Sequence, residues 1–189
     1  MRRPVAVYDA NVLYPAFLRD LLVRLARAGA VAPRWTDRIH DEWMRNVLAD
    51  HPDLTPDRVV RVRTLMEGAV PGALVEGYEH HVGSLDLPDA DDRHVLAAAI
   101  EGGADLIVTF NLRDFPEHLL APYRVTVRHP DRFLGDLLEH APAAVLTAMR
   151  AQRASFKNPA LSADEYLHKL EKAQLPETAA YVRRVAPRL

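Results

Sequence analysis

The stretch Val5-Ala6-Val7-Tyr8-Asp9-Ala10-Asn11 constrains the fold more than any other part of the chain. Val5 to Tyr8 is apolar almost throughout and reads as a short buried strand. Such a run suits a central parallel strand covered on both faces. That requires an α/β architecture, with helices on either side of the sheet. Asp9 follows at the carboxyl end of the strand, the edge where open α/β sheets bind ligands. Taken alone, the stretch favours a simpler reading, in which Asp9 or Asn11 caps the next helix. The weight of Asp9 therefore depends on how many later carboxylates reach the same edge.

From Tyr14 to Arg27, Phe17, Leu18, Leu21, Leu22 and Leu25 recur at helical spacing, with Pro15 in the first turn and Gly29 after the end. Val31 to Trp35 reads as a second strand, and Thr36 as the N-cap of a helix running to about Asp50. On that helix Asp41 and Glu42 both flank the apolar side, and the helical wheel does not choose between them. Asn46 lies one turn after Glu42 on its face. Thr55-Pro56-Asp57 opens another helix that ends near Gly68, and Pro71-Gly72 marks a turn. Ala73-Leu74-Val75 reads as a third strand. The region from Glu76 to Leu87 carries His80 and His81 and has no clear assignment; both histidines read as surface residues.

Leu87 to Ile100 reads as a helix with an acidic first turn, Asp89, Asp91 and Asp92, an alanine-rich body and a Gly102-Gly103 stop. Ala104 to Phe110 follows as a buried strand, with Thr109, Asn111 and Asp114 at its carboxyl end. A short helical piece after Pro116 and a final strand, Tyr123 to Val127, complete this part. Residues 131–189 contain no convincing strand and read as four amphipathic helices, Asp131 to His140, Ala143 to Ser155, Ala163 to Ala173 and Glu177 to Val185.

Composition removes several classes of function. The 189 residues include no cysteine, which excludes disulfides, zinc–thiolate sites and cysteine nucleophiles. With 24 Lys+Arg against 26 Asp+Glu the net charge is −2, so no broad basic field advertises passive binding of nucleic-acid backbone. The charge is nearly even along the chain: residues 131–189 hold 9 cationic side chains against 7 anionic ones, and the rest 15 against 19. No apolar run of membrane length or signal-like leader is evident, and the expected location is the cytoplasm.

Parallel strands joined by helices bring their carboxyl ends to one side of the sheet. Asp9, Glu42, Asp92 and Asp114 then fall at one edge. Clustered carboxylates repel, and a divalent hard cation relieves the conflict. An all-oxygen donor set without cysteine suits Mg2+ or Mn2+ better than zinc. The chemistry suggested is metal-dependent hydrolysis of a phosphodiester. Each acid also has a plainer reading: Asp89, Asp91 and Asp92 as complements to a helix dipole, Asp114 as a turn cap, Glu42 as a solvated glutamate.

Four segments, Val-Tyr-Asp-Ala-Asn-Val-Leu at the start, Ile-His-Asp-Glu-Trp-Met-Arg-Asn-Val around Glu42, Asp-Asp-Arg-His-Val-Leu-Ala-Ala-Ala from Asp91, and Ile-Val-Thr-Phe-Asn-Leu-Arg-Asp-Phe up to Phe115, together resemble the PIN domain. Within that superfamily the chain is most similar to VapC-type toxins of bacterial toxin–antitoxin pairs, over about residues 3 to 130. The resemblance implies a three-layer α/β/α domain with a central, mostly parallel sheet over residues 1–130, followed by an all-helical C-terminal extension over 131–189. It implies that Asp9, Glu42, Asp92 and Asp114 are the four catalytic acids, with Asp9, Asp92 and Asp114 as metal ligands. It favours Glu42 over Asp41. Asn11, Thr109 and Asn111 match polar positions around the acids, and Asn46 joins them from the face of Glu42. Asp89 and Asp91 depart from the single aspartate usual before this helix and are candidates to share the metal role.

The activity implied is that of a Mg2+- or Mn2+-dependent endoribonuclease, homodimeric, with RNA as substrate and a cognate antitoxin as partner. The helical extension departs from minimal members and is expected to serve dimerisation, antitoxin docking or RNA placement. Three other readings compete. An aspartate-nucleophile phosphatase of the haloacid dehalogenase type needs a second aspartate where Asn11 stands and a threonine where Val12 stands. A PIN nuclease acting in RNA processing or on structured DNA shares the chemistry. A non-catalytic interaction module would have no need of all four acids.

Overall fold

The computed structural model describes residues 2–186 and 189. Four strands form one sheet, β1 (Val5–Tyr8), β2 (Ala32–Arg34), β3 (Leu106–Val108) and β4 (Thr126–Arg128). Their order is β2-β1-β3-β4 and every pairing is parallel. Eleven α-helices accompany them among the described residues: α1 (Ala10–Leu13), α2 (Ala16–Arg27), α3 (Asp37–Asp50), α4 (Pro56–Ala69), α5 (Glu79–Val82), α6 (Arg93–Glu101), α7 (Glu117–Leu120), α8 (Pro130–His140), α9 (Pro142–Ser155), α10 (Ala163–Lys172) and α11 (Pro176–Val185).

The topology follows from the strand sequence. The chain leaves β1 for β2 on one side, then returns past β1 to β3 on the other. Right-handed crossovers in opposite directions lay helices on opposite faces, which gives three layers. β1 and β3 lie at the centre, and Ala6, Val7, Tyr8, Ile107 and Val108 are fully buried. This is why the first strand carries no polar residue before Asp9. The alanine-rich α6, with Ala97, Ala98 and Ala99 fully buried, lies against β1 and β3. At its end Gly102 is required: a Cβ there would stand 2.8 Å from the Ala98 carbonyl oxygen and 2.9 Å from a Val75 methyl.

Several boundaries differ from the sequence expectation. The expected helix from Tyr14 begins only at Ala16, after the separate short turn of α1. Pro15 sits outside it in an extended conformation, because its ring nitrogen has no proton to continue the ladder of α1. Ala73-Leu74-Val75 is not a strand. It makes a single parallel bridge, in which Trp35 donates to the Ala73 carbonyl (3.1 Å) and Val75 to that of Trp35 (2.8 Å). The unassigned stretch after Glu76 contains α5, and the acidic segment before α6 is a 3-10 turn, Ala90–Asp92. The last strand starts at Thr126, because Arg124 adopts a left-handed conformation that closes the turn Ala121–Tyr123. Thr36 caps α3 as expected, accepting from the Ile39 N–H at 3.1 Å.

The C-terminal helices share one continuous hydrophobic core with the sheet. α8, α9 and α11 each begin at a proline, where its fixed φ suits a first turn. α9 lies along α2, and the contact is fixed by the buried Gln152. Its Nε2 donates to the Phe17 carbonyl at 2.8 Å, and its Oε1 accepts from the Tyr166 hydroxyl at 2.6 Å. Phe17 also meets Phe156 and Tyr166, with ring centroids 6.3 and 5.6 Å apart. Within the tail, the buried Asp131 carboxylate accepts from the Glu177 and Thr178 backbone N–H groups, at 2.9 and 2.8 Å, at the start of α11. This places an anion at a helix N-terminus, where the dipole favours it.

Candidate active site

The strand order changes direction beside β1, so a crevice opens beyond the carboxyl ends of β1 and β3. Asp9 leaves β1 there and Thr109 leaves β3. Asp9 stands at the N-cap position of α1 but its side chain makes no capping hydrogen bond. Its Oδ2 instead accepts from the Thr109 hydroxyl (2.7 Å) and the Asn11 side-chain amide (2.7 Å). The Thr109 hydroxyl in turn accepts from Asn11 Nδ2 (2.8 Å) and the Asn111 N–H (3.0 Å), which saturates it. Asn11 Oδ1 takes the Phe110 N–H at 3.1 Å. One network thus ties the ends of the two central strands around a 94% buried carboxylate.

Glu42 comes from α3, and the structure separates it from Asp41. Glu42 is turned inward: its Oε1 stands 3.0 Å from Nε2 of the buried His94 and accepts from Arg38 Nε at 3.2 Å. The His94 approach is close but does not form a hydrogen bond. Asp41 also borders the cavity, but it is largely exposed and lies 3.7 Å from Arg63. Asp92 closes the 3-10 turn and precedes α6, whereas Asp89 accepts from the Asp91 N–H at 2.8 Å and so shapes that turn. Asp114 follows β3 in a second 3-10 turn, Leu112–Asp114, and accepts from the Asn111 side chain.

All of these acids face one open cavity of about 630 Å³. Asp9, Glu42, Asp92 and Asp114 line it together with Asn11, Asn46, Asp89, Asp91 and Asn111. Thr109 is fully buried and does not line it; it acts through Asp9 and Asn111. The carboxylates stand apart: among the described residues, no three of their oxygens all lie within 4.8 Å of one another. His80 and His81 are elsewhere, at the far end of α6 beside Glu101.

The electrostatics are those of a crowded anionic site. Burial pushes the Asp92 carboxyl up to about 7, reinforced by the Asp9 and Asp114 carboxylates and a hydrogen bond with Asp114. Burial also raises Asp9, against the lowering effect of the Thr109 hydroxyl. Glu42 moves the other way: burial opposes its ionisation, but His94 and Arg38 outweigh it and hold the carboxyl below the usual range. The site therefore offers hard oxygen donors that repel one another, the donor chemistry a divalent cation such as Mg2+ relieves. Asp9, Asp92 and Asp114 line the cavity from the ends of β1 and β3 and from the turn before α6.

Sequence reasoning passed over three residues. His94 is nearly fully buried under Glu42; a histidine two positions after Asp92, on the apolar face of α6, was the available signal. Arg38, one turn before Glu42, also donates to the Asp91 carbonyl at 3.2 Å and so links α3 to the acidic turn. Arg45 lines the cavity from α3. These two arginines are the cations at the rim of an otherwise acidic opening.

Comparison with known proteins bears on two stretches of the chain. A family model described as the PIN domain matches residues 5–113, and one described as the VapC50 C-terminal domain matches residues 130–184. A protein of Mycobacterium tuberculosis (strain ATCC 25618 / H37Rv), named as a candidate ribonuclease, VapC50, is 38% identical over 96 residues. That match covers 51% of this chain and 56% of the relative, so it spans little more than half the relative's length. No solved structure matches.

Proposed function

The chain belongs to the PIN-domain family, and from this premise we propose that it is a divalent-cation-dependent endoribonuclease, the toxin of a toxin–antitoxin pair. The observation that carries the proposal is the convergence of Asp9, Glu42, Asp92 and Asp114 on one cavity, with Asp92 raised to about 7 by burial and then by its anionic neighbours. Asp9, Asp92 and Asp114 would hold Mg2+ or Mn2+. When bound, the cation supplies activation of water and neutralises charge on the phosphoryl oxygens. Thr109 and Asn11 fix the Asp9 carboxylate, and Asn111 fixes that of Asp114. Glu42, kept ionised by His94 and Arg38, orients water and substrate on the other wall. Arg38, Arg45 and Asn46 line the cavity, which supports a role for them in meeting the phosphates of an RNA strand. Asp89 shapes the acidic turn through the Asp91 N–H.

Residues 1–130 are proposed as the nuclease domain and 131–189 as its helical extension, which shares the core. A cytoplasmic homodimer with an antitoxin as its regulatory partner fits this reading. Among the described residues no helix is long and apolar enough to cross a membrane.

The test is incubation of the purified protein with total RNA in Mg2+, in Mn2+ and in chelator, beside Asp9→Asn. Fragments that require the cation and vanish in the variant support the reading. An uncut RNA pool under every condition, with folded protein, contradicts it and favours an interaction module.

A further inference from the structure

We propose that His80, His81 and Glu101 form a binding site for one divalent cation of the zinc class, separate from the carboxylate cavity. Among the described residues this is the one group of three or more His, Asp or Glu side chains whose ligand atoms all lie within 4.8 Å of one another. His81 Nε2 stands 3.2 Å from Glu101 Oε2, and His80 Nε2 stands 3.9 Å from the same oxygen. Two ligands each about 2.1 Å from a tetrahedral ion are about 3.4 Å apart. The two separations from the carboxylate bracket that value, and all three ligand atoms lie within 4.8 Å of one another.

The local structure prepares the His80 imidazole for this, whereas His81 Nε2, hydrogen-bonded to the Glu101 carboxylate, gives up its proton to bind the ion. His80 Nδ1 lies 2.6 Å from the Gly77 carbonyl, which only accepts. Nδ1 therefore carries the proton, and Nε2 presents its lone pair toward Glu101. A backbone carbonyl that fixes the tautomer in this way is the usual support of a metal-ligating histidine. Side chains of adjacent residues diverge by about 100° around a helix. Here the His80 and His81 rings are instead 3.8 Å apart at their centroids and tilted by 39°. Glu101 is the last residue of α6, and the negative end of the helix dipole adds to its attraction for a cation. His80 and Glu101 are 64% and 37% exposed at their side chains, so water has access to a fourth position.

The donor set separates this site from the first. Two imidazole nitrogens and one carboxylate oxygen suit zinc, whereas the cavity at the other end of α6 offers oxygen donors suited to magnesium. α6 has nine residues, so about 13 Å of helix divides the two. A cation here ties α5, too short to be stable alone, to the end of α6. It would close a span of 20 residues, from His81 to Glu101, that includes Asp89, Asp91 and Asp92. Its expected role is to brace the segment that carries these acids.

The test is a zinc titration of the full chain by calorimetry in excess Mg2+, which keeps the carboxylate cavity saturated. The wild type should bind one Zn2+ per chain and should gain about 5–10 °C in melting temperature at 100-fold excess over Kd. Glu101→Gln and His81→Asn should weaken binding by about tenfold or more, whereas Asp9→Asn should bind as the wild type does. Melting in chelator establishes that the variants are folded. Should they not fold, the absorption spectrum of wild-type protein with Co2+ decides: intense bands of a four-coordinate nitrogen-ligated ion support the site, and weak bands of an all-oxygen octahedral ion overturn it. The proposal is equally overturned if no saturable zinc binds in excess Mg2+, if the His81 and Glu101 variants bind as tightly as the wild type, or if Asp9→Asn removes the binding.

Discussion

Replacing Asp92 by asparagine should stabilise the protein in chelator at alkaline pH while abolishing cleavage. The folded structure raises this carboxyl from 3.8 to about 7, by burial first and then by Asp9 and Asp114. A rise of about three units at about 1.4 kcal/mol each sets an upper bound of about 4 kcal/mol. Asp92 is only half-buried beside an open cavity, and solvent screening reduces this to about 1–2 kcal/mol. Its folded-state pKa is raised, so the folded chain holds the proton more tightly than the unfolded chain does. The group's favourable contribution is complete below the unfolded value of 3.8 and is lost as pH rises through about 7. Asparagine cannot ionise, so the variant's advantage should be small under acid conditions and full above neutrality. For a chain of this size it amounts to about 3–6 °C in melting temperature. The assay is thermal unfolding of both proteins in chelator across that pH range, repeated in Mg2+, where the cation should favour the wild type and shrink or reverse the difference. A variant less stable than wild type at alkaline pH in chelator, or a difference that ignores pH, would refute the argument that the acids repel in the folded state.

Three further outcomes follow from the same geometry. Thr109→Val keeps the shape but removes the hydroxyl that joins Asp9, Asn11 and Asn111; denaturant unfolding should show a loss of about 1–3 kcal/mol, and cleavage should fall with it. His94→Asn removes the contact that helps keep Glu42 ionised, so the acid limb of the pH–rate profile should move to higher pH; an unmoved limb would dissociate Glu42 from that limb. Asp131→Ala strips two backbone N–H groups of α11 of their acceptor, at a cost of about 2–3 kcal/mol, and hydrogen exchange should show protection lost first in α11 rather than in the sheet.

What was legible in the sequence were the features carried by local chemistry. The run Val5 to Tyr8 is buried on both faces at the centre of the sheet, and that burial made it readable as a strand. The acids after β1 and β3 could be placed because parallel strands share a carboxyl edge. Thr36 announces a helix start through its hydroxyl. Features set by distant partners were not legible. On the helical wheel Asp41 and Glu42 are equivalent; His94 and Arg63, from other helices, separate them. Ala73 to Val75 has the composition of a strand but forms a single bridge, to Trp35, and its ladder goes no further. The end of a helix at Leu13 depends on one missing proton at Pro15, which the apolar spacing of the following turn conceals. The convergence of His80 and His81 on Glu101 arises from the fold of α5 against α6, so no spacing rule exposes it.

The central claim is that the carboxylate cavity cuts RNA by hydrolysis with a divalent cation. The most direct measurement takes a defined RNA that the protein cuts and places a single 2′-deoxynucleotide on the 5′ side of the scissile phosphate. Water as the nucleophile has no need of that hydroxyl. The account predicts that cleavage persists in Mg2+, stops in chelator, fails in Asp9→Asn and leaves no 2′,3′-cyclic phosphate. Cleavage that continues in chelator, or that is lost with the 2′-hydroxyl and yields a cyclic phosphate from the unmodified RNA, would contradict it.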